Sequence, residues 1–176
     1  MNIGILALQG AVEPHKQKLV QLGVTPIEVR RAQDLDGLSG IILPGGESTT
    51  MLHLLELNGL WEPLLRFTSE RATWGVCAGT ILLAKEVHGP SQRSLAQVSI
   101  SVDRNGYGRQ IDSFIDRLSA AAEWKGPQEV EGVFIRAPRI HSVDPKARTL
   151  FSYRDEPVMV EERHLLASTF HPELTD

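Results

Sequence analysis

The chain has one cysteine, Cys77, in 176 residues. An internal disulfide is therefore excluded. No Cys/His cluster has zinc-finger spacing, which leaves the thiol as buried packing, a metal ligand or a nucleophile. A lone thiol suits a reducing compartment, and the cytoplasm is expected. Positive charge is not in excess. Eighteen Lys and Arg face twenty-two Asp and Glu for a formal net charge of −4, and the basic residues are scattered, so no nucleic-acid surface held by phosphate contacts is expected. Long hydrophobic runs are also missing. The N-terminal "MNIGILALQG" is apolar, but it has no basic leader, is too short to span a bilayer and runs into polar sequence; no membrane association is expected. Without repeats, low-complexity tracts or composition shifts, residues 1–176 are expected to form one domain, able to bury roughly 70% of the surface its unfolded chain exposes.

Short apolar runs alternate with helical patterns through the first half. "NIGILAL" predicts a strand. "AVEPHKQKLVQLG" predicts a helix with Val12, Leu19 and Leu22 on its apolar stripe and Gly23 as its stop. "PIEVRR" and the buried "GIILPGG" predict strands, and "STTMLHLLELNG" a helix with Ser48 at its N-cap and Gly59 past its end. "RATWGVC" is the next strand and "AGTILLAKEV" the helix after it. This alternation predicts an α/β fold: an open, mostly parallel sheet with helices on both faces. The second half changes character. "QVSISV", "GVFIRA", "TLFSYR", "PVMVEE" and "LLASTF" predict extra β-strands, added to one edge or folded as a separate layer. "RLSAAAEWKGPQEVEG" is Ala-rich enough for a helix yet broken by Gly126 and Pro127, and its pattern does not decide.

Cys77 falls at the carboxyl end of a predicted parallel strand, where open α/β sheets place their ligand sites. Its flanks, Gly75 and Gly79, complete the cysteine form of the G-x-S-x-G nucleophile elbow, a sharp strand-to-helix turn that tolerates almost no side chain two residues to either side. With glycine near 7% of average usage, both flanks being Gly by accident is roughly a 0.5% event, so inert packing is the weaker reading. The turn lifts the sulfur clear of the sheet and sets it at a helix N-terminus, where a thiolate is favoured.

A thiolate nucleophile needs a base. His15, His53, His88, His141 and His164 read as surface or capping residues. His171 stands apart, because it ends the last strand and Pro172 holds it out of the α region. In an extended backbone residues i and i+2 share a side, so Glu173 is expected beside it, fixing the imidazole tautomer and stabilising the imidazolium. For a developing oxyanion the elbow offers the N–H of Ala78, and "LPGGEST" offers a second from Gly45 or Gly46. That Gly-rich turn is not a Walker phosphate loop, since no G-K-[ST] follows.

"GVCAG", "PGGES" and the closing "HPE" resemble the class I, triad-type glutamine amidotransferases, which implies their flavodoxin-like fold. "LALQGAVEPH", "LPGGESTTM", "RNGYGRQIDSF", "VFIRAPRI" and "TFHPELT" narrow the resemblance to the glutaminase subunits of pyridoxal phosphate synthases. It implies that Cys77 is the nucleophile with His171 and Glu173 as its relay, that Gly46 and Ala78 donate to the oxyanion, and that Gly46, Glu47, Ser48, Arg104, Ile135 and Arg136 hold L-glutamine. The chemistry agrees: an α-carboxylate wants Arg104 or Arg136, and an α-ammonium wants Glu47. Gln9 is expected near the oxyanion loop as a gating residue. The resemblance implies no metal and no bound cofactor. It implies a synthase partner, in a large hetero-oligomer, that receives the ammonia and brings the glutaminase to competence.

The chain departs from that pattern in three places. Val76 and Thr80 stand where relatives often carry Thr and Leu; "SLAQVSISV" is unusual before Arg104; and the chain closes soon after Glu173 where relatives usually continue with a helix, so stability or docking is expected to differ. Competing readings are a glutaminase subunit of another biosynthetic amidotransferase, a thiol hydrolase of similar fold, and a catalytically silent relative that only binds the synthase.

Overall fold

In the first half, strand-length apolar runs and helical stripes build β1 (Asn2–Leu6), α1 (Val12–Gln21), β2 (Thr25–Val29), β3 (Gly40–Leu43), α2 (Ser48–Leu57), α3 (Trp61–Glu70), β4 (Ala72–Val76) and α4 (Ala78–Leu83). These positions come from a computed structural model, which describes residues 1–104, 106 and 113–175. The rest is mostly strand: β5 (Ala84–His88), β6 (Val98–Asp103), β7 (Ser113–Ala120), β8 (Glu129–Ile135), β9 (Arg139–Val143), β10 (Arg148–Tyr153), β11 (Glu156–Glu162) and β12 (Leu165–Ser168), followed by a 3-10 turn at Pro172–Leu174.

The main sheet runs β2-β1-β3-β4-β12-β11-β10-β7-β8. Its first five strands are parallel neighbours, and the others pair antiparallel. Helices cover both faces, because strand side chains alternate. Ile5, Ile42 and Val76 turn towards Leu19 of α1. Leu6, Ile41 and Leu43 turn the other way, towards Met51, Leu55, Leu64 and Leu82 of α2, α3 and α4. The second half of the chain does both things its pattern allowed. Five strands, β12, β11, β10, β7 and β8, widen the main sheet, while β5-β6-β9 form a separate small sheet whose Val87, Val98, Ile100 and Ile140 join the core on the α2–α4 side.

Several elements differ from the sequence expectation. The helix expected over "AGTILLAKEV" stops at Leu83, because the N–H groups of Leu95 and Gln97 take the carbonyls of Leu82 and Leu83 at 2.7 and 2.9 Å, and the chain turns extended into β5. The N-cap of α2 is Glu47, which accepts from the Thr49 N–H, and not Ser48, which is the first helical residue. Leu22 caps α1 and is exposed, so of the three stripe residues Val12 and Leu19 pack inward. The undecided "RLSAAAEWKGPQEVEG" is a hairpin: β7 ends at Ala120, β8 starts at Glu129, and Trp124 in the connection packs edge-on against Phe151. Helix α3 lies outside the sequence expectation, although Trp61, Leu64 and Thr68 form its buried stripe.

β12 enters the sheet beside β4, with Ala167 opposite Gly75 and Ser168 opposite Val76. The Ser168 carbonyl then accepts from both the Cys77 N–H at 2.8 Å and the fully buried Thr80 hydroxyl at 2.7 Å. Thr80, unusual for the resemblance, thus ties α4 to the strand that delivers His171. Thr80→Val keeps the shape and leaves that carbonyl with the Cys77 N–H as its remaining donor, so unfolding free energy in urea is expected to drop by about 0.5–1.5 kcal/mol. A drop below about 0.5 kcal/mol, the usual range for an inconsequential surface change, would contradict this role.

Candidate active site

Two glycines dictate the turn at Cys77. A Cβ on Gly75 would sit 2.6 Å from the Gly79 carbonyl oxygen, and one on Gly79 would collide with the Leu43 carbonyl. Freed of both, the chain folds from β4 into α4 within one residue, and Cys77 takes φ 50°, ψ −102°. Such a positive φ costs a non-glycine residue about 1–3 kcal/mol. The cysteine is buried, 7% exposed, with Ile5, Leu19, Ile42 and Val76 around it.

His171 arrives from β12 through Thr169 and Phe170, and its N–H is held by the Val133 carbonyl of β8 at 2.8 Å. Its side chain lies beside Cys77, which favours charge on the ring, while Nδ1 lies 2.7 Å from Glu173 Oε1. The His–Glu contact matches the expectation, but an extended backbone is not what makes it. Pro172 opens a 3-10 turn, and the turn carries Glu173 back under the imidazole. Burial opposes charge on this ring, yet the Cys77 and Glu173 partners outweigh it and raise the His171 pKa to about 9. Glu173 is buried too. Burial works against its charge, but the His171 hydrogen bond and the nearby His15 hold its carboxyl below the usual value.

The Gly-rich loop after β3 packs directly on this pair. A Cβ on Gly45 would strike the His171 ring, and one on Gly46 would strike the Gln9 amide. The Gly45 carbonyl accepts from the Ala11 N–H at 2.9 Å, and Gln9 Oε1 accepts from the Glu47 N–H at 2.9 Å. Gln9 is therefore bound to the loop, at the place expected for it. Ala78, the first residue of α4, follows Cys77 directly.

The residues expected to hold glutamine fall into two groups. Glu47, Ser48 and Arg104 are linked. Arg104 reaches Glu47 Oε1 at 3.2 Å, and its Nε is buried without a hydrogen-bond partner among the described residues. The Ser48 hydroxyl donates to Gln92 Oε1 at 2.9 Å. Ile135 ends β8, and Arg136 follows it at φ 44°. Both lie just past Val133, whose carbonyl anchors His171, and both are exposed. Asn105 and residues 107–112 of "RNGYGRQIDSF" lie outside the described residues.

His15 is not the surface or capping residue expected. It is 3% exposed, on the inner side of α1, with Nε2 3.7 Å from Glu173 Oε2. A helical position four residues before the inward Leu19 is the available signal. His53, His88 and His141 are exposed, as expected. His164 is half-buried and contacts the Thr68 carbonyl. No group of three or more His, Cys, Asp or Glu among the described residues is placed to hold a metal ion. Among the described residues no helix is long and apolar enough to cross a membrane.

The fold is that of the glutamine amidotransferases. A crystal structure described as a glutamine amidotransferase superposes with a TM-score of 0.90 at 41% identity, covering 98% of this chain and 91% of that one. A glutamine amidotransferase from Thermotoga maritima shares the fold at a TM-score of 0.66 and 15% identity, over 98% of this chain and 75% of that one. The model of the SNO glutamine amidotransferase family matches residues 5–176, and the chain belongs to that family. Among its relatives, the pyridoxal 5'-phosphate synthase subunit PdxT of Deinococcus radiodurans is 50% identical over 182 residues, spanning all of this chain and 91% of that protein. The PdxT of Solibacter usitatus is 44% identical over 178 residues, 99% of this chain and 93% of that protein.

Proposed function

We propose that this chain is the glutaminase subunit of a pyridoxal 5'-phosphate synthase, hydrolysing L-glutamine to L-glutamate and ammonia as one domain over 1–176. The observation that carries the reading is the buried grouping of Cys77, His171 and Glu173, with His171 beside the cysteine and its Nδ1 2.7 Å from Glu173 Oε1, set in a chain that aligns from end to end with proteins named as that subunit. A free thiol in a chain of this family suits the reducing cytoplasm.

The chemistry runs in two halves. The Cys77 thiolate attacks the carboxamide carbon of glutamine, and the developing oxyanion is met by the N–H groups of Ala78 and Gly46. His171 gives its proton to the departing nitrogen, the C–N bond breaks, and ammonia leaves a γ-glutamyl thioester. Water then attacks the thioester carbon, His171 takes the proton, and glutamate leaves as the thiolate is restored. Glu173 keeps the imidazole in the tautomer with Nδ1–H towards itself and stabilises the cation. Glu47 faces the α-ammonium of glutamine, Arg104 and Arg136 face the α-carboxylate, and Ser48 and Ile135 shape the rest of the pocket.

Ammonia protonates once it reaches water, so the synthase takes it directly through a channel. The Gly45 carbonyl is tied to Ala11, and a trans peptide turns the Gly46 N–H the opposite way. Docking of the synthase reorients this loop, with Gln9 as its gate, and completes the oxyanion hole. Glutamine-dependent ammonia release is expected to rise about 10²-fold when the synthase is added, the scale of one oxyanion donor, and to vanish in Cys77→Ala. Full activity in the isolated chain would refute the coupling, and activity in Cys77→Ala would refute the nucleophile.

The pH dependence follows from His171. Its pKa is raised from 6.5 to about 9, so its ion pair with Glu173 is present through neutrality and is lost as pH rises through about 9. The stability it contributes has the same sign: complete below the unfolded value and gone above the folded one. Glu173→Gln removes one of the charges that sustain the cation, so the alkaline limb of kcat/KM for glutamine in the complex is expected to move down by on the order of one pH unit. An unmoved limb would mean that Glu173 does not support His171.

A further inference from the structure

Glu173 is buried with a side chain only 1% exposed, and His171 uses only one of its two oxygens. Oε1 meets His171 Nδ1 at 2.7 Å. Oε2 has no hydrogen-bond partner among the described residues, and neither does His15 Nε2, which faces it across 3.7 Å. A buried carboxylate oxygen without a donor is costly, and two buried polar atoms without a partner among the described residues, one able to donate and one able to accept, face each other. The separation is longer than a hydrogen bond. Contacts of this kind in free enzymes often tighten only in the substrate complex.

We propose that His15 is a positioning residue: its Nε2–H engages Glu173 Oε2 and so keeps Oε1 aimed at His171. The inference rests on the glutaminase reading above, and it concerns a side chain to which that reading gives no role. Two features fit His15 for the task. Burial holds its pKa below the ordinary value, against the pull of Glu173 and with the repulsion of His171. It therefore remains a neutral donor and leaves the single proton of the relay to His171. It is also well anchored. α1 begins where Ala11 binds the Gly45 carbonyl and Val12 binds the Gly10 carbonyl, so one helix fixes both the loop beside His171 and the donor beneath Glu173. The titratable groups around Glu173 are His171 on its own turn, His15 on α1, Cys77 beyond His171, and Lys18 of α1, which lines a cavity with His15 and Glu173; His15 Nε2 lies 3.7 Å from Oε2.

Two measurements test it. In the wild-type chain, ¹⁵N NMR of labelled imidazoles is expected to show His15 as the neutral Nε2–H tautomer between about pH 7 and pH 9. An Nδ1–H tautomer or a cationic His15 there would overturn the proposal, because Oε2 would then face an acceptor or a competing charge. In the complex with the synthase, His15→Leu is expected to lower kcat for glutamine hydrolysis about tenfold, with KM changed less than about twofold, as loss of catalytic alignment does. His15→Gln, whose amide nitrogen can reach the same oxygen, is expected to recover most of that loss. Equal impairment in Leu and Gln variants that match wild type in thermal midpoint, or a loss seen in KM alone, would overturn it. Activity surviving in Cys77→Ala, by contrast, would count against the glutaminase mechanism itself.

Discussion

The site depends on one strand pairing. β12 lies parallel to β4 in a register that sets Ser168 opposite Val76, and the Ser168 carbonyl is shared by the Cys77 N–H and the Thr80 hydroxyl. Residues far apart in sequence thus reach the same sheet edge at the same height. A one-residue slip would turn every side chain of β12 to the other face and carry His171 away from the sulfur. The register is well protected: Ala167 is fully buried, and Trp74 donates from its indole to the Ser168 hydroxyl at 3.1 Å.

Around that pairing, several backbones approach more closely than side chains permit. Gly75 and Gly79 let β4, α4 and β3 converge at the elbow, while Gly10, Gly45 and Gly46 let the first loop, the Gly-rich loop after β3 and the His171 ring stack without a Cβ between them. The strain this leaves at Cys77 φ is about 1–3 kcal/mol. Burial of the surrounding apolar residues, at roughly 1.5–3 kcal/mol for each large side chain, is ample to hold it. In the proposed reaction, a sulfur, imidazole and carboxylate already fixed in place need little reorganisation when charge develops.

Much of this is legible in the sequence. The alternation of short apolar runs and helical stripes points to the parallel half and its helices, and the two glycines flanking Cys77 point to the elbow. Three things are not legible. The end of α4 at Leu83 is set by the backbone of residues 95 and 97, a tertiary competition that local pattern does not carry. The His171–Glu173 contact follows from spacing for the wrong geometric reason, since the 3-10 turn begun by Pro172 replaces the extended backbone assumed for it. His15 escapes notice because a histidine on an amphipathic helix carries no sign of what lies beneath it. Only the fold brings the C-terminal turn under α1. Gln92 illustrates the same limit, since its contact with Ser48 joins a loop to a helix with no shared motif.

The central claim is that Cys77 is the atom on which glutamine is opened. Acid-quenching the chain with its synthase during turnover and mapping peptides by mass spectrometry tests it most directly. The account predicts a glutamyl group on the peptide holding Cys77 and on no other, labile to hydroxylamine as a thioester is. A complex that releases ammonia from glutamine while Cys77 stays unmodified, including after treatment with a glutamine-mimicking alkylator, would contradict it.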